Sequence, residues 1–336
     1  MSETLKIIIP MAGWGTRMRP HTWSKPKPLV SVAGKASLDH LLDMFKSLPA
    51  EMQVEFIFII GPFLGEQIPP YIQENYPALQ AHYIVQEEMK GQSHALWLAR
   101  HLLHGPTIMV FSDTLLETDF SFLAQEQCDG VAWVKAVPDP RRFGVAEIRD
   151  GSISRLIEKP QTMENNLALV GCYYFKQGEE LVAAIGEQIK RGIALKGEYF
   201  LADAINIMLE NGAQMRTHSV EVWLDTGTIE ATLETNTYML EHGRDNSAQA
   251  ARRPGLTVIP PVFVHPQARV EGAVIGPHVS VGADCEVSGC VLRNSILDDG
   301  AIVTDSVLDG SFIGRQARVQ GRPTTVNIGD NSSIQL

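Results

Sequence analysis

From Pro260 onward, aliphatic residues return every five or six positions, and a period that short leaves a chain few folds to choose from. Val264, Val270, Ile275, Val281 and Val287 follow this spacing, as do Ile296, Ile302, Val307, Ile313 and Val319. The fragments Ile275-Gly276-Pro277, Val281-Gly282-Ala283 and Ile313-Gly314-Arg315 restate one unit. Six residues per unit with one inward aliphatic is the pattern of a parallel β-helix, whose coils stack small apolar side chains into a column. The period is irregular near Cys290 and after Gln320. The pattern predicts a hexapeptide-repeat β-helix over residues 256–336, preceded over 229–255 by a helix (230–242) and a linker.

Upstream the pattern is different. Apolar runs at 5–9, 54–60, 82–85, 107–111 and 131–137 have the length and β-branched content of strands, and residues 146–149 and 154–157 are also strand-like. Amphipathic stretches, notably 38–47 and 93–103, predict helices between them. This alternation predicts an α/β domain over 1–228, built on a mainly parallel Rossmann-like sheet covered on both faces. Ligands of such sheets sit at the carboxyl ends of the strands.

The first strand leads into Pro10-Met11-Ala12-Gly13-Trp14-Gly15-Thr16-Arg17, and Pro26-Lys27-Pro28-Leu29 follows soon after. Gly13 and Gly15 open backbone angles closed to other residues, so that successive N–H groups can turn toward one anion. Arg17 adds a forked donor for phosphate oxygens, and Lys27 adds a compact charge held between prolines. A dinucleotide fingerprint would need glycine where Met18 stands, and an ATPase-type loop would need Ser or Thr after Gly34-Lys35 where Ala36 stands. The loop is therefore a phosphate site of another kind.

These motifs resemble the signature of the sugar-1-phosphate nucleotidylyltransferases: Gly-x-Gly-Thr-Arg, a nearby proline, and Pro-Lys-Pro-Leu. The family often carries a left-handed hexapeptide-repeat β-helix behind its catalytic domain. The resemblance implies that a sugar 1-phosphate attacks the α-phosphorus of a nucleoside triphosphate and expels pyrophosphate. Arg17, Lys27 and Lys159 (in Glu158-Lys159-Pro160) are then the cations of catalysis. Ala12, Gly13, Gly15 and Thr16 hold the triphosphate, while Gln86 and Gly91 read the base; the order Gln86, Gly91, His94-Ala95 resembles the uridylyl and thymidylyl branches. Gly144, Glu158, Gly171 and Glu198 are the expected sugar contacts. Asp113, after the central strand, and Asp225, in Trp223-Leu224-Asp225-Thr226-Gly227, are the expected Mg²⁺ ligands, a pair of hard oxygen donors that suits that ion.

Some features keep the identity of the base open. Ala12 stands where thymidylyl enzymes commonly have glycine, and the run from Arg19 to Leu29 also resembles guanylyl enzymes. Ser112 replaces a glycine common before the metal aspartate. Two other roles are open to such a chain: an acyltransferase β-helix using His265 and His278, and a regulatory protein that keeps the fold without the chemistry. All the catalytic motif residues are present, which argues against the second.

Composition narrows the partners. A net charge of −11 argues against a nucleic-acid or anionic-membrane surface, so any anion site must be local. No apolar run reaches the length of a membrane span. The four cysteines lack paired Cys-x-x-Cys spacing, which predicts reduced thiols without structural zinc, in keeping with a cytoplasmic protein. A homo-oligomer assembled through the repeats is expected.

Overall fold

The first strand, Leu5–Pro10, has buried isoleucines at three successive positions, Ile7 to Ile9, because helices cover both faces of its sheet. The computed structural model describes residues 4–322 and residue 333. Contact grouping divides the chain into two compact units: one takes the chain up to Val30 together with Ala36–Ala231, the other takes Ser31–Lys35 together with the chain from Thr232 onward.

The first unit is a nine-stranded mixed sheet whose main path runs Ser152–Glu158, Gly144–Arg149, Leu167–Phe175, Thr107–Val110, Leu5–Pro10, Val54–Ile60, Ala81–Val85. The last four of these strands are parallel. Leu167–Phe175 runs antiparallel to its neighbours, and Met215–Ser219 adds a parallel pair with Gly130–Ala136. The sheet is thus parallel in one half and mainly antiparallel in the other. The hairpin linking Gly144–Arg149 to Ser152–Glu158 accounts for part of this, since Asp150 and Gly151 both have positive φ (52° and 81°), the signature of a tight two-residue turn. The Asp-Gly pair that encodes this turn is visible in the sequence.

Two predicted helices are shorter than the apolar pattern implied. The helix after Gly91 spans Gln92–Leu98 and then breaks into turns ahead of Gly105 (φ 72°). Ser37–Asp43 is α-helical, and Met44–Ser47 tightens to a 3-10 turn. Among the described residues no helix is long and apolar enough to cross a membrane. All four cysteines are unpaired thiols, and three are buried.

The second unit contains three four-stranded parallel sheets, each strand two or three residues long, stacked coil on coil in the arrangement of a left-handed β-helix. Val264, Val270, Ile275, Val281 and Val287 point inward as expected. In the later column Ile296 is buried and Ile313 and Val319 pack against the core as expected, whereas two positions are corrected: Val303 is fully buried where Ile302 is only partly so, and Leu308 packs inward where Val307 is 80% exposed. Pairing register is the reason: Val287 pairs with Val303 and Leu292 with Leu308, each sixteen positions on, so their neighbours Ile302 and Val307 fall on the other face of their strands. Residues 323–332 and 334–336 of the expected repeat domain lie outside the described residues. Within this unit the Ser31–Lys35 segment is held by Ala33 N–H, which donates to Asn236 Oδ1 at 3.0 Å, and by Gly34, where a Cβ would strike the Phe263 ring at 2.3 Å.

Candidate active site

The carboxyl ends of the parallel strands open into a cavity of about 520 Å³. Its lining includes Ala12, Gly13, Gly15, Thr16, Arg17, Lys27, Gln86, Gly91, Asp113 and Glu198, side chains from five separate stretches of sequence.

The glycine loop forms one wall. Gly15 is left-handed (φ 59°), and its carbonyl accepts the Thr22 hydroxyl at 2.8 Å and the Met18 N–H at 2.9 Å, which pins the turn. Gly13 differs from expectation in that its φ is not in the left-handed range. A Cβ at Gly13 would meet no atom within 4 Å, so the protein does not need the missing side chain, and the space it leaves belongs to the cavity. Trp14 stacks on Phe63 with centroids 5.9 Å apart, steadying the outer side of the loop.

The acidic centre is built by pairing Trp223–Asp225 with Thr114–Leu116, which sets Asp225 opposite Thr114 and beside Asp113. Thr226 N–H donates to the Asp113 carbonyl at 3.0 Å, and Gly227 N–H donates to Asp225 Oδ1 at 2.6 Å. Arg17 Nη2 and Asp113 Oδ2 each lie 3.3 Å from the Cβ position of Gly227, with Asp225 Oδ1 at 2.6 Å, so guanidinium and carboxylates converge on one point. A side chain at Gly227 would fill it. Lys27, mostly buried, forms an ion pair with Asp113, and Arg17 Nη2 stands 3.8 Å from the same carboxylate. Lys27, expected on nucleotide phosphate, is therefore held by Asp113 here. Burial and then the Asp113 charge push the Asp225 carboxyl above the usual range. Two crowded oxygen donors, one of them resisting ionisation, fit a divalent cation better than they fit each other.

At the far end Gln86 follows Ala81–Val85 and is 5% exposed. Gly91 has φ 91°, and a Cβ there would lie 2.5 Å from the Tyr199 carbonyl, so no other residue fits this close approach. Tyr199 N–H donates to the Lys90 carbonyl and Ser93 N–H to the Tyr199 carbonyl, which brings the neighbouring Glu198 to the cavity wall.

Gly144, Glu158, Lys159 and Gly171 are not among the residues lining this cavity. They form the adjoining antiparallel side of the sheet. Lys159 N–H donates to the Phe143 carbonyl at 3.0 Å, and the Phe143 ring meets Trp223, two residues before Asp225, at 5.2 Å. Lys159 itself has φ 47°, a left-handed backbone that is uncommon for lysine. Gly144 faces Glu158 Oε2, 3.0 Å from its Cβ position, and desolvation raises the Glu158 carboxyl. Gly171 (φ 85°) lies at an irregularity in Leu167–Phe175, where a Cβ would strike Phe111 at 2.3 Å. Sequence reasoning missed Phe111, Met89 and Gly227 as cavity walls. Only Gly227 carried a signal, the glycine closing Trp-Leu-Asp-Thr-Gly. On the repeats, His278 is engaged by Glu241 (2.9 Å) and Asn294 (3.1 Å), and His265 Nδ1 accepts the Gln267 N–H.

The chain is similar to known proteins over most of its length. Residues 6–242 match the model of the Nucleotidyl transferase family, and residues 258–334 match the GMPPB C-terminal domain. A glucose-1-phosphate thymidylyltransferase of Streptomyces antibioticus is 29% identical over 99% of both chains. The low-salt glycan biosynthesis nucleotidyltransferase Agl11 of Haloferax volcanii is 30% identical, covering 99% of this chain and all of its own. The bifunctional protein GlmU of Methanococcus maripaludis is 31% identical over 69% of this chain and 54% of its own. Among solved structures, a UDP-glucose pyrophosphorylase complexed with UDP-glucose shares the fold with a TM-score of 0.60 at 19% identity, covering 71% of this chain and 100% of its own. A nucleoside-diphosphate-sugar pyrophosphorylase from Vibrio cholerae gives 0.60 at 20% identity, with 68% and 99% covered.

Proposed function

The chain belongs to the nucleotidyl transferase family, and from that premise we propose that it transfers a nucleotidyl group from UTP or dTTP to a hexose 1-phosphate, glucose 1-phosphate above others. One observation carries the proposal: a single cavity joins the glycine loop, Arg17 and the Lys27–Asp113 pair to the Gln86–Gly91 end. Its two ends match the phosphate and base ends of a nucleotide.

A sugar phosphate is largely dianionic near neutral pH, its second pKa being about 6. No general base is needed. An oxygen of that phosphate bonds to the α-phosphorus as the α–β bridging bond breaks, and the electron pair leaves on pyrophosphate. The protein's task is to align the reactants and balance charge. Arg17, its side chain 67% exposed beside the glycine loop, receives the β- and γ-phosphates and the departing pyrophosphate. Lys27 shares its charge between Asp113 and the α-phosphate. Lys159 holds the sugar phosphate, with Gly144, Glu158, Gly171 and Glu198 around the sugar hydroxyls. Asp113 and Asp225 hold Mg²⁺, which when bound supplies positive charge against the triphosphate. The four unpaired thiols support a reducing, cytoplasmic setting, and the repeat unit supports assembly of a homo-oligomer.

A panel of sugar 1-phosphates against dTTP, UTP, GTP, ATP and CTP, scored by pyrophosphate release, tests the reaction. GTP belongs in it because of the loop from Arg19 to Leu29. Arg17→Ala is expected to lower kcat on the order of 10³-fold, by analogy with other phosphoryl-transfer cations. Release of pyrophosphate with no member of the panel would reject the proposal.

A further inference from the structure

Gln86 is enclosed, yet the hydrogen bonds of its side-chain amide are unequally shared. Nε2 donates to the Gly91 carbonyl at 3.3 Å and faces His94 Nδ1 at 3.3 Å. Among the described residues the side chain's hydrogen bonds both run through Nε2, and Gln86 lines the cavity. His94 lies behind it, on the Gln92–Leu98 helix, and does not line the cavity.

An amide has one donor end and one acceptor end, and its direction follows from its partners. Rotated by half a turn, Gln86 would turn Oε1 on the Gly91 carbonyl, a repulsive contact, and would need a proton on His94 Nδ1. The arrangement requires Nδ1 without a proton, so the ring proton sits on Nε2. Burial and then the Lys90 charge hold the His94 pKa below its ordinary value, with Glu88 opposing, and this keeps the ring neutral.

We propose that His94 is the positioning residue that turns the acceptor end of Gln86 toward the base, so that the site selects bases carrying a ring N–H beside a carbonyl. This rests on the nucleotidyl-transfer reading of the cavity and deepens it. Uracil, thymine and guanine carry that lactam edge, whereas cytosine and adenine present a bare ring nitrogen where the N–H would be. A buried acceptor facing a second acceptor forfeits its hydrogen bond, and a site built this way rejects the wrong base strongly. The lock sorts bases by edge, and cavity size sorts pyrimidine from purine.

The test is equilibrium binding by calorimetry without sugar phosphate, so that it does not depend on turnover. UTP is compared with CTP and GTP with ATP. In whichever size class binds, the lactam base should win by at least about tenfold. His94→Leu, of similar size but with no acceptor, should reduce that ratio about tenfold. His94→Asn, whose Oδ1 falls near the place of Nδ1, should restore most of it. Long-range nitrogen NMR of the wild-type ring should show the Nε2–H form, a readout independent of whether any variant folds. No preference for the lactam base, an unchanged ratio in folded His94→Leu, equal loss in both variants, or an Nδ1–H ring would each overturn the proposal. A protein that binds UTP over CTP but never releases pyrophosphate would sink the reaction while leaving the base lock standing.

Discussion

Asp225 is the residue where stability and chemistry pull apart. Burial and the nearby Asp113 charge raise its carboxyl, so ionising it costs the fold. That cost is present above the raised pKa and disappears as the pH falls through it. Asp225→Asn keeps an oxygen for the Gly227 N–H and removes the charge. It should raise the melting temperature at pH 7 by about 2–4 °C, as expected for roughly 1 kcal/mol in a domain of this size, while activity is lost. Mg²⁺ should raise the melting temperature of the wild type and not of this variant; equal shifts in a thermal melt would remove Asp225 from the metal site. Gly91→Ala should cost about 1–3 kcal/mol, because both its φ and the Tyr199 backbone oppose a side chain. Urea unfolding, with the Kd for the triphosphate measured alongside, would show both losses. The left-handed turn at Gly15 was legible in the sequence; at Gly91 the sequence pointed to room for a base, whereas the Tyr199 backbone is what closes on its Cβ position. The pairing of Lys27 with Asp113 was not, since those residues are 86 positions apart and meet only through the sheet.

At the scale of elements, strand ends position the chemistry. Asp113 follows Thr107–Val110, Gln86 follows Ala81–Val85 and the glycine loop follows Leu5–Pro10, all strands of the parallel half that open at one edge of the sheet. Their apolar runs marked these strands, because a strand buried on both faces has little choice of residue. The antiparallel half was harder to foresee, since strand direction depends on which segments pair. The β-helix shows the same division. Its period was legible, but at Ile302 and Val307 the inward position depended on pairing register, which turns Val303 and Leu308 inward instead. The corrected phase is testable: Val303→Ala should destabilise by about 2 kcal/mol through lost burial, whereas Val307→Lys should stay within about 0.5 kcal/mol. Denaturant midpoints in the opposite order would restore the earlier phase.

Over the whole molecule, a chain with a net charge of −11 gathers Arg17 and Lys27 at one cavity, the proposed phosphate site. A negative global field repels polyanions, while local donors can still hold a small anion. At low salt, about 50 mM, the protein should therefore fail to retain duplex DNA on a filter yet bind nucleoside triphosphate; DNA retention there would show a basic surface that the charge balance excludes. The sequence by itself determined the kinds of part present: a glycine loop with its cations, two aspartates after apolar runs, a glutamine and glycine at a fixed interval, and a short-period repeat. Those are properties of neighbouring residues, written in local spacing and in conformational limits on glycine and proline. Tertiary structure alone decided the relations among them: that Asp113 and Asp225 crowd each other, that Lys27 rests on Asp113, that the later repeats turn Val303 inward, and that His94 Nδ1 meets Gln86 Nε2. Each is a Coulombic, packing or hydrogen-bond contact between groups that only the folded backbone brings within a few ångströms.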